Sequence, residues 1–173
     1  MHNVRVDQIS STAEKAKHDP SAALVKINIA GDWRMDENQK QFGGAVTFPK
    51  GELVLEADFP PFLGGEGRAP SPLAYCFYGA MSCYGSTFAS QAAMAGVEIE
   101  QMHITLSLQV DFRTALGLGE FTPLSEFKFD VQVKSPATVK EIENVKKLTD
   151  ERCPAIWAMK NPVPFSTSAR KLE

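Results

Sequence analysis

"APSPLAYCFYGAMSCYGSTFASQAAMAG", residues 69–96, opens on a proline-rich turn, closes on glycine and lies in a span without a charged side chain between Arg68 and Glu98. Ser71 suits an N-cap, Pro72 the first helical position, and Gly96 the left-handed residue that ends a helix. The stretch therefore predicts a helix over 72–95. A helix so apolar all round needs cover on nearly every side, which makes it the central buried helix of the fold and hints that a second subunit supplies part of that cover. It also carries two of the chain's three cysteines, Cys76 and Cys83. Seven residues of spacing put them on one face, about 20° apart, but two turns separate them by about 10 Å, too far for a disulfide between them.

Outward from this helix the chain reads as strands in adjacent pairs. Upstream, "PPFLGGEGRAPSP" (60–72) is too rich in breakers for regular structure. Before it, "ALVKINIAGDWR" and "AVTFPKGELVLEADF" give period-two segments around a turn at Pro49, Lys50 and Gly51, a strand meander over 24–59. Residues 1–20 predict a short N-terminal helical extension packed on the surface. Downstream, "QMHITLSLQVD" and "EFKFDVQVK" alternate cleanly within 99–134, a strand pair joined by a wide loop, with Phe127, Phe129, Val131 and Val133 on the core face. Ser135 and Pro136 open a second helix over 136–153, which Pro154 stops, and "NPVPFSTSAR" (161–170) reads as a short last strand. Paired strands beside two helices predict an α+β fold with antiparallel sheets, and 173 residues suit a single domain, 1–173.

Composition removes several functions. Lysine and arginine number 18 against 21 aspartates and glutamates, a net charge of −3, so no basic field exists to hold nucleic acid or an anionic membrane. No apolar leader follows Met1 and no long apolar run occurs, which predicts a cytoplasmic protein whose thiols rest reduced. His2, His18 and His103 stand in no metal-ligand spacing, and "GGEG" is not a nucleotide loop, so neither metal nor cofactor is expected. Cys153 falls on the core side of the second helix, where it can pair with Cys83 or with Cys76. By composition alone, buried cysteines acting as small hydrophobes are the better account.

A resemblance shifts that weight. "APSPLAYCFYGAMSC", then "AMAGVEIEQMHITLSLQVDF", and "ERCPA" seventy residues after Cys83, resemble the OsmC/Ohr family of hydroperoxide-reducing proteins over about Val25 to Phe165. The resemblance implies the OsmC-like fold as an intertwined homodimer with each active site at the subunit interface. It implies that Cys83 is the peroxidatic cysteine and Cys153 the resolving one, with a small organic hydroperoxide as substrate and an external dithiol as reductant. Cys76 matches no family cysteine and goes to the core. The family's active-site arginine follows the first strand, where "AGDWRMDE" offers Arg34, with Arg68 as the alternative. The glutamate that holds this arginine stands one residue after the helix-start proline, and here that position is Leu73; Glu66 is the substitute from the preceding loop. A cation beside Cys83 would lower its pKa. Two other functions use the same residues: a non-enzymatic dimer binding a small apolar ligand, and a redox sensor.

Overall fold

In the computed structural model, which describes residues 1–172, helix α1 (Val6–His18) and a 3₁₀ turn (Pro20–Ala23) precede strands β1 (Ala30–Trp33), β2 (Phe42–Phe48) and β3 (Gly51–Ala57). A second 3₁₀ turn (Pro61–Leu63) leads into helix α2 (Pro72–Ala95), then strands β4 (Gln101–Val110) and β5 (Leu124–Lys134) and helices α3 (Val139–Arg152) and α4 (Pro154–Lys160). The strands form two antiparallel sheets, β1-β2-β3 and β4-β5, so the α+β class holds. By its internal contacts the chain divides into two compact units, one of Asp7–Gly79 and one of Met1–Val6 with residues from Ala80 onward.

Helix α2 has the limits its sequence dictates. The Ser71 hydroxyl and carbonyl both take the Ala74 N–H at its start. At its end Gly96 adopts φ +70°, its N–H bonds the Ala93 carbonyl, and the Val97 N–H reaches back to Ala92. This double bond pattern around a left-handed glycine satisfies carbonyls that the last turn would leave open. Val97 and Ala92 are both buried, so the cap closes onto the core.

The core gathers in the second unit. Tyr84, Phe88, Ala92, Val97, Val145, Cys153 and Ile156 form one buried cluster, with Met102, Ile104, Phe129, Val131 and Val133 of the β4–β5 sheet packed against it. Gly85 brings helix and sheet together, since a Cβ there would stand 2.9 Å from Ile104 Cδ1. All six buried residues of α2 lie from Ala80 onward. Cys76, assigned to the core by sequence, is therefore exposed within the single chain, because the elements that cover the helix pack on its later turns.

Other local expectations change. Leu24 to Ile29 alternate like a strand, yet pairing starts only at Ala30, and Leu24, Val25, Ile27 and Ile29 are all exposed. Helix α3 begins at Val139, with Thr138 as its N-cap, rather than at Pro136. Thr138 Oγ1 accepts the Glu141 N–H, and the Glu141 carboxylate accepts the Thr138 N–H at 2.8 Å. Ser135 is occupied elsewhere, its Oγ accepting the Ala137 N–H and donating to the Glu98 carbonyl. Pro154 stops α3 as expected but also starts α4, because proline is favoured at a first helical position. Among the described residues 161–170 form no strand. In β5 one extra residue opposes Leu108, with Glu126 at φ +55°, a bulge that interrupts the alternation and leaves Phe127 more exposed than Phe129.

Candidate functional site

Cys83 stands one residue before buried Tyr84, so α2 turns its thiol to the margin of the core, half-buried. Cys153 caps the C-terminus of α3, its N–H bonded to the Thr149 carbonyl at 2.9 Å, and it is fully enclosed. The two sulfurs are 3.7 Å apart, the Cys153 thiol donating to Cys83 Sγ. A disulfide needs about 2.05 Å, so these are reduced thiols in contact, and a shift of less than about 2 Å would join them. Cys76, two turns away on α2, is not part of this pair.

Burial pushes the Cys83 thiol above its ordinary value, an N–H bond from Ala155 opposes that rise, and the Cys153 thiol adds to it. This is the reverse of the arginine-lowered thiol implied by the resemblance. Cys83 and Arg34 belong to different units of the chain.

Around the thiols α2 is tied to the end of α3 twice. Tyr84 Oη donates to Asp150 Oδ1 at 2.8 Å, and Arg152 Nη1 donates to Gln91 Oε1 at 2.7 Å. Lys146 Nζ bonds the second Asp150 oxygen at 2.6 Å. Burial, then the Asp150 carboxylate, raise the Tyr84 phenol above its usual range. For Asp150 burial works upward, but the bonds from Lys146 and Tyr84 outweigh it and leave the carboxyl below its usual range.

Arg34 follows β1 directly, and its guanidinium lies over β2 at Gly43, where a Cβ would collide with Nη2. It donates to Glu56 Oε1 at 2.6 Å, and Lys40 Nζ takes the other oxygen at 2.5 Å. The expectation that Glu66 holds the arginine is thus corrected: the carboxylate is Glu56. Glu66 is exposed, with its own weak partner in Arg68 at 3.9 Å, and Arg68 donates to the Glu37 carbonyl at 3.0 Å. Neither Arg68 nor Glu66 joins the Arg34 cluster. Their backbone N–H groups instead converge on Asp58 Oδ2 at 2.9 and 3.3 Å, which folds the 59–70 loop around a buried carboxylate.

Glu56 and Lys40 escaped the sequence reading, although a signal existed. The two-residue turn at Pro49 and Lys50 pairs Phe48 with Gly51, and counting outward sets Glu56 opposite Gly43, beside the residues that follow β1. The same unit holds an apolar cleft of about 270 Å³, lined by Ile29, Phe42, Val46, Leu55, Pro72 and Tyr75. Among the described residues no group of three or more His, Cys, Asp or Glu side chains could hold a metal ion, and no helix is long and apolar enough to cross a membrane.

Two antiparallel sheets and one long helix, with a thiol from that helix touching a second thiol at a Cys-Pro junction, define a dithiol α+β protein. The family model of the OsmC-like protein matches residues 65–168, more than half of the chain, and the chain belongs to that family. Solved structures share the fold at low identity. The OsmC-like protein of Mycoplasma pneumoniae superposes with a TM-score of 0.60 at 17% identity, covering 80% of this chain and 89% of its own. An organic hydroperoxide resistance protein OsmC of Legionella pneumophila gives 0.54 at 19% identity, over 79% and 92%. A putative organic hydroperoxide resistance protein of Vibrio cholerae, with captopril bound in one of its active sites, gives 0.52 at 16%, over 80% and 88%. No curated protein sequence matches the chain.

Proposed function

We propose that this chain is a thiol-dependent peroxidase for organic hydroperoxides, working as a cytoplasmic homodimer in which residues 1–173 act as one OsmC-like domain. The observation that carries the reading is the 3.7 Å contact between a half-buried and an enclosed thiol. The Cys83 thiolate attacks the distal peroxide oxygen; the O–O bond breaks, the alkoxide takes a proton and leaves as an alcohol, and Cys83 becomes a sulfenic acid. Cys153 sulfur then attacks the sulfenic sulfur and water leaves, so the two electrons that reduced the peroxide come from the pair. An external dithiol returns them by exchange. Arg34, held by Glu56, is the group we assign to orienting the peroxide and stabilising the departing oxygen. The hydroperoxide resistance named for the Legionella and Vibrio relatives supports the same substrate class.

Single-turnover reaction of the reduced protein with cumene hydroperoxide tests this. One peroxide consumed should remove two thiols and yield one Cys83–Cys153 bond, C83S should be inert, and C153S should stop at the sulfenic acid. Peroxide left intact while both thiols remain titratable would remove the enzyme.

A second reading, a dimer that binds a small apolar ligand, is favoured by the cleft at Ile29, Phe42 and Leu55 together with the raised Cys83 thiol. Saturable binding of a fluorescent apolar probe to C83S, without turnover by the parent, would select it. A redox sensor would form the same bond, with slow regeneration by dithiols.

A further inference from the structure

We infer that the two hydrogen bonds from α2 to the last turn of α3 form a clasp that sets the redox equilibrium of the Cys83–Cys153 pair, with Tyr84 and Gln91 as positioning residues; this rests on the reading of that pair as redox-active. Tyr84 and Gln91 are seven residues apart, so they share one face of α2, and they grip Asp150 and Arg152, within three residues of Cys153. Pro154 confines Cys153 from the other side. The sulfur in the cap position can therefore move relative to α2 mainly by moving the turn the clasp holds.

The choice of residues points the same way. Tyr84 packs its ring on Phe129 at 5.1 Å and is 3% exposed, a place where phenylalanine would serve for packing. Its hydroxyl adds only the bond to Asp150. Gln91 is 8% exposed beside the fully buried Ala92, where a buried amide is costly unless bonded. Thr149, the other buried polar side chain there, returns its hydroxyl to Val145 within its own helix. The buried polar groups that reach from α2 to another element both end beside Cys153. Two thiols held in contact lose little freedom on joining, so the clasp raises their effective molarity and favours the disulfide.

The test is the thiol–disulfide equilibrium of the full chain in graded dithiothreitol buffers, with the bond quantified by mass spectrometry and no peroxide present. Y84F and Q91M should each shift the equilibrium about three- to tenfold toward the dithiol, the size set by one net hydrogen bond, and tenfold corresponds to about 30 mV. D150N, whose amide oxygen still accepts from Tyr84, should stay within about twofold, whereas D150A should follow Y84F. Equilibria for Y84F, Q91M and D150A all within about twofold of the parent, with lowered melting temperatures, would reduce the clasp to ordinary packing. Should Y84F fail to fold, the contrast of D150A with D150N and the Q91M value decide alone. A parent that forms no bond in any buffer would instead overturn the redox reading, and the clasp with it.

Discussion

The two units of the chain dispose of their apolar residues in opposite ways. From Ala80 onward, the β4–β5 sheet packs Met102, Ile104, Phe129 and Val131 against the helical core, and the alternation of β4 becomes one half-buried and one wet face. In the Asp7–Gly79 unit the three-stranded sheet has no equivalent. Trp33, Phe42, Phe48, Leu53 and Val54 are exposed, and the buried residues there are few, Gly43, Ala57 and Asp58 among the sheet and its exit. Strands with the same binary pattern thus end half-buried in one unit and bare in the other, and exposed apolar patches of that kind are the ones proteins use for interactions. A second copy of the chain laid on this sheet, as in the homodimer proposed above, would cover these residues.

The largest effect expected separates the units directly. Phe88, 1% exposed, should cost about 3–5 kcal/mol when truncated in F88A, the usual penalty for emptying a core ring. Phe48, 52% exposed, should cost under about 0.5 kcal/mol in F48A if the single chain is all there is. Chemical denaturation with sedimentation measures both. A costly F48A that also lowers the sedimentation coefficient would mean a partner covers the sheet.

A smaller contrast lies within β5. Phe129 stacks on Tyr84 against the core, and F129D should cost about 2 kcal/mol or more by burying an unpaired carboxylate. F127D should cost clearly less, because the bulge at Glu126 leaves Phe127 open to water. Equal melting temperatures for the two variants would mean the bulge does not divide the strand's environment.

These elements mark how much was legible in advance. The limits of α2, the strand pair and the partnership of Cys83 with Cys153 all follow from local signals: caps, alternation, and a family pattern around the thiols. What escaped depends on distant partners. Leu24 to Ile29 carry a strand pattern without a strand to pair with; the second role of Pro154 appears only when a helix follows it; and Glu56 replaces Glu66 because hairpin register, not sequence proximity, decides which carboxylate meets Arg34. Burial likewise pushes the Cys83 thiol up, a packing effect that no local motif signals.

That thiol gives the next test. With burial disfavouring the charged form, Cys83 alkylation in the peroxide-free protein should rise about tenfold per pH unit through neutrality and reach its midpoint above about 8.5, the free-thiol value. A midpoint below that value, moved upward by R34M, would show a cation reaching the sulfur and would join the chemistry of the two units.

The smallest effect on stability should come from the ion pairs of the exposed unit. Glu56 and its partners Arg34 and Lys40 are each about a third open to water, where such pairs are screened, so E56Q should leave the melting temperature at pH 7 nearly unchanged. Lys40 first and Arg34 second hold the Glu56 carboxyl below its usual range. A depressed folded value means that whatever the pairs contribute is present above the unfolded value, about 4.3, and is lost as pH falls through the folded one, so E56Q and the parent should converge in acid. Activity should respond differently. If Glu56 aims Arg34 at a peroxide, E56Q and R34M should lower kcat/KM for cumene hydroperoxide by similar factors, and the double variant should fall no further than R34M, because residues acting through one another do not add. An additive double variant would detach Glu56 from Arg34's role, and an R34M rate equal to the parent's would remove Arg34 from the reaction while leaving the thiol pair in place.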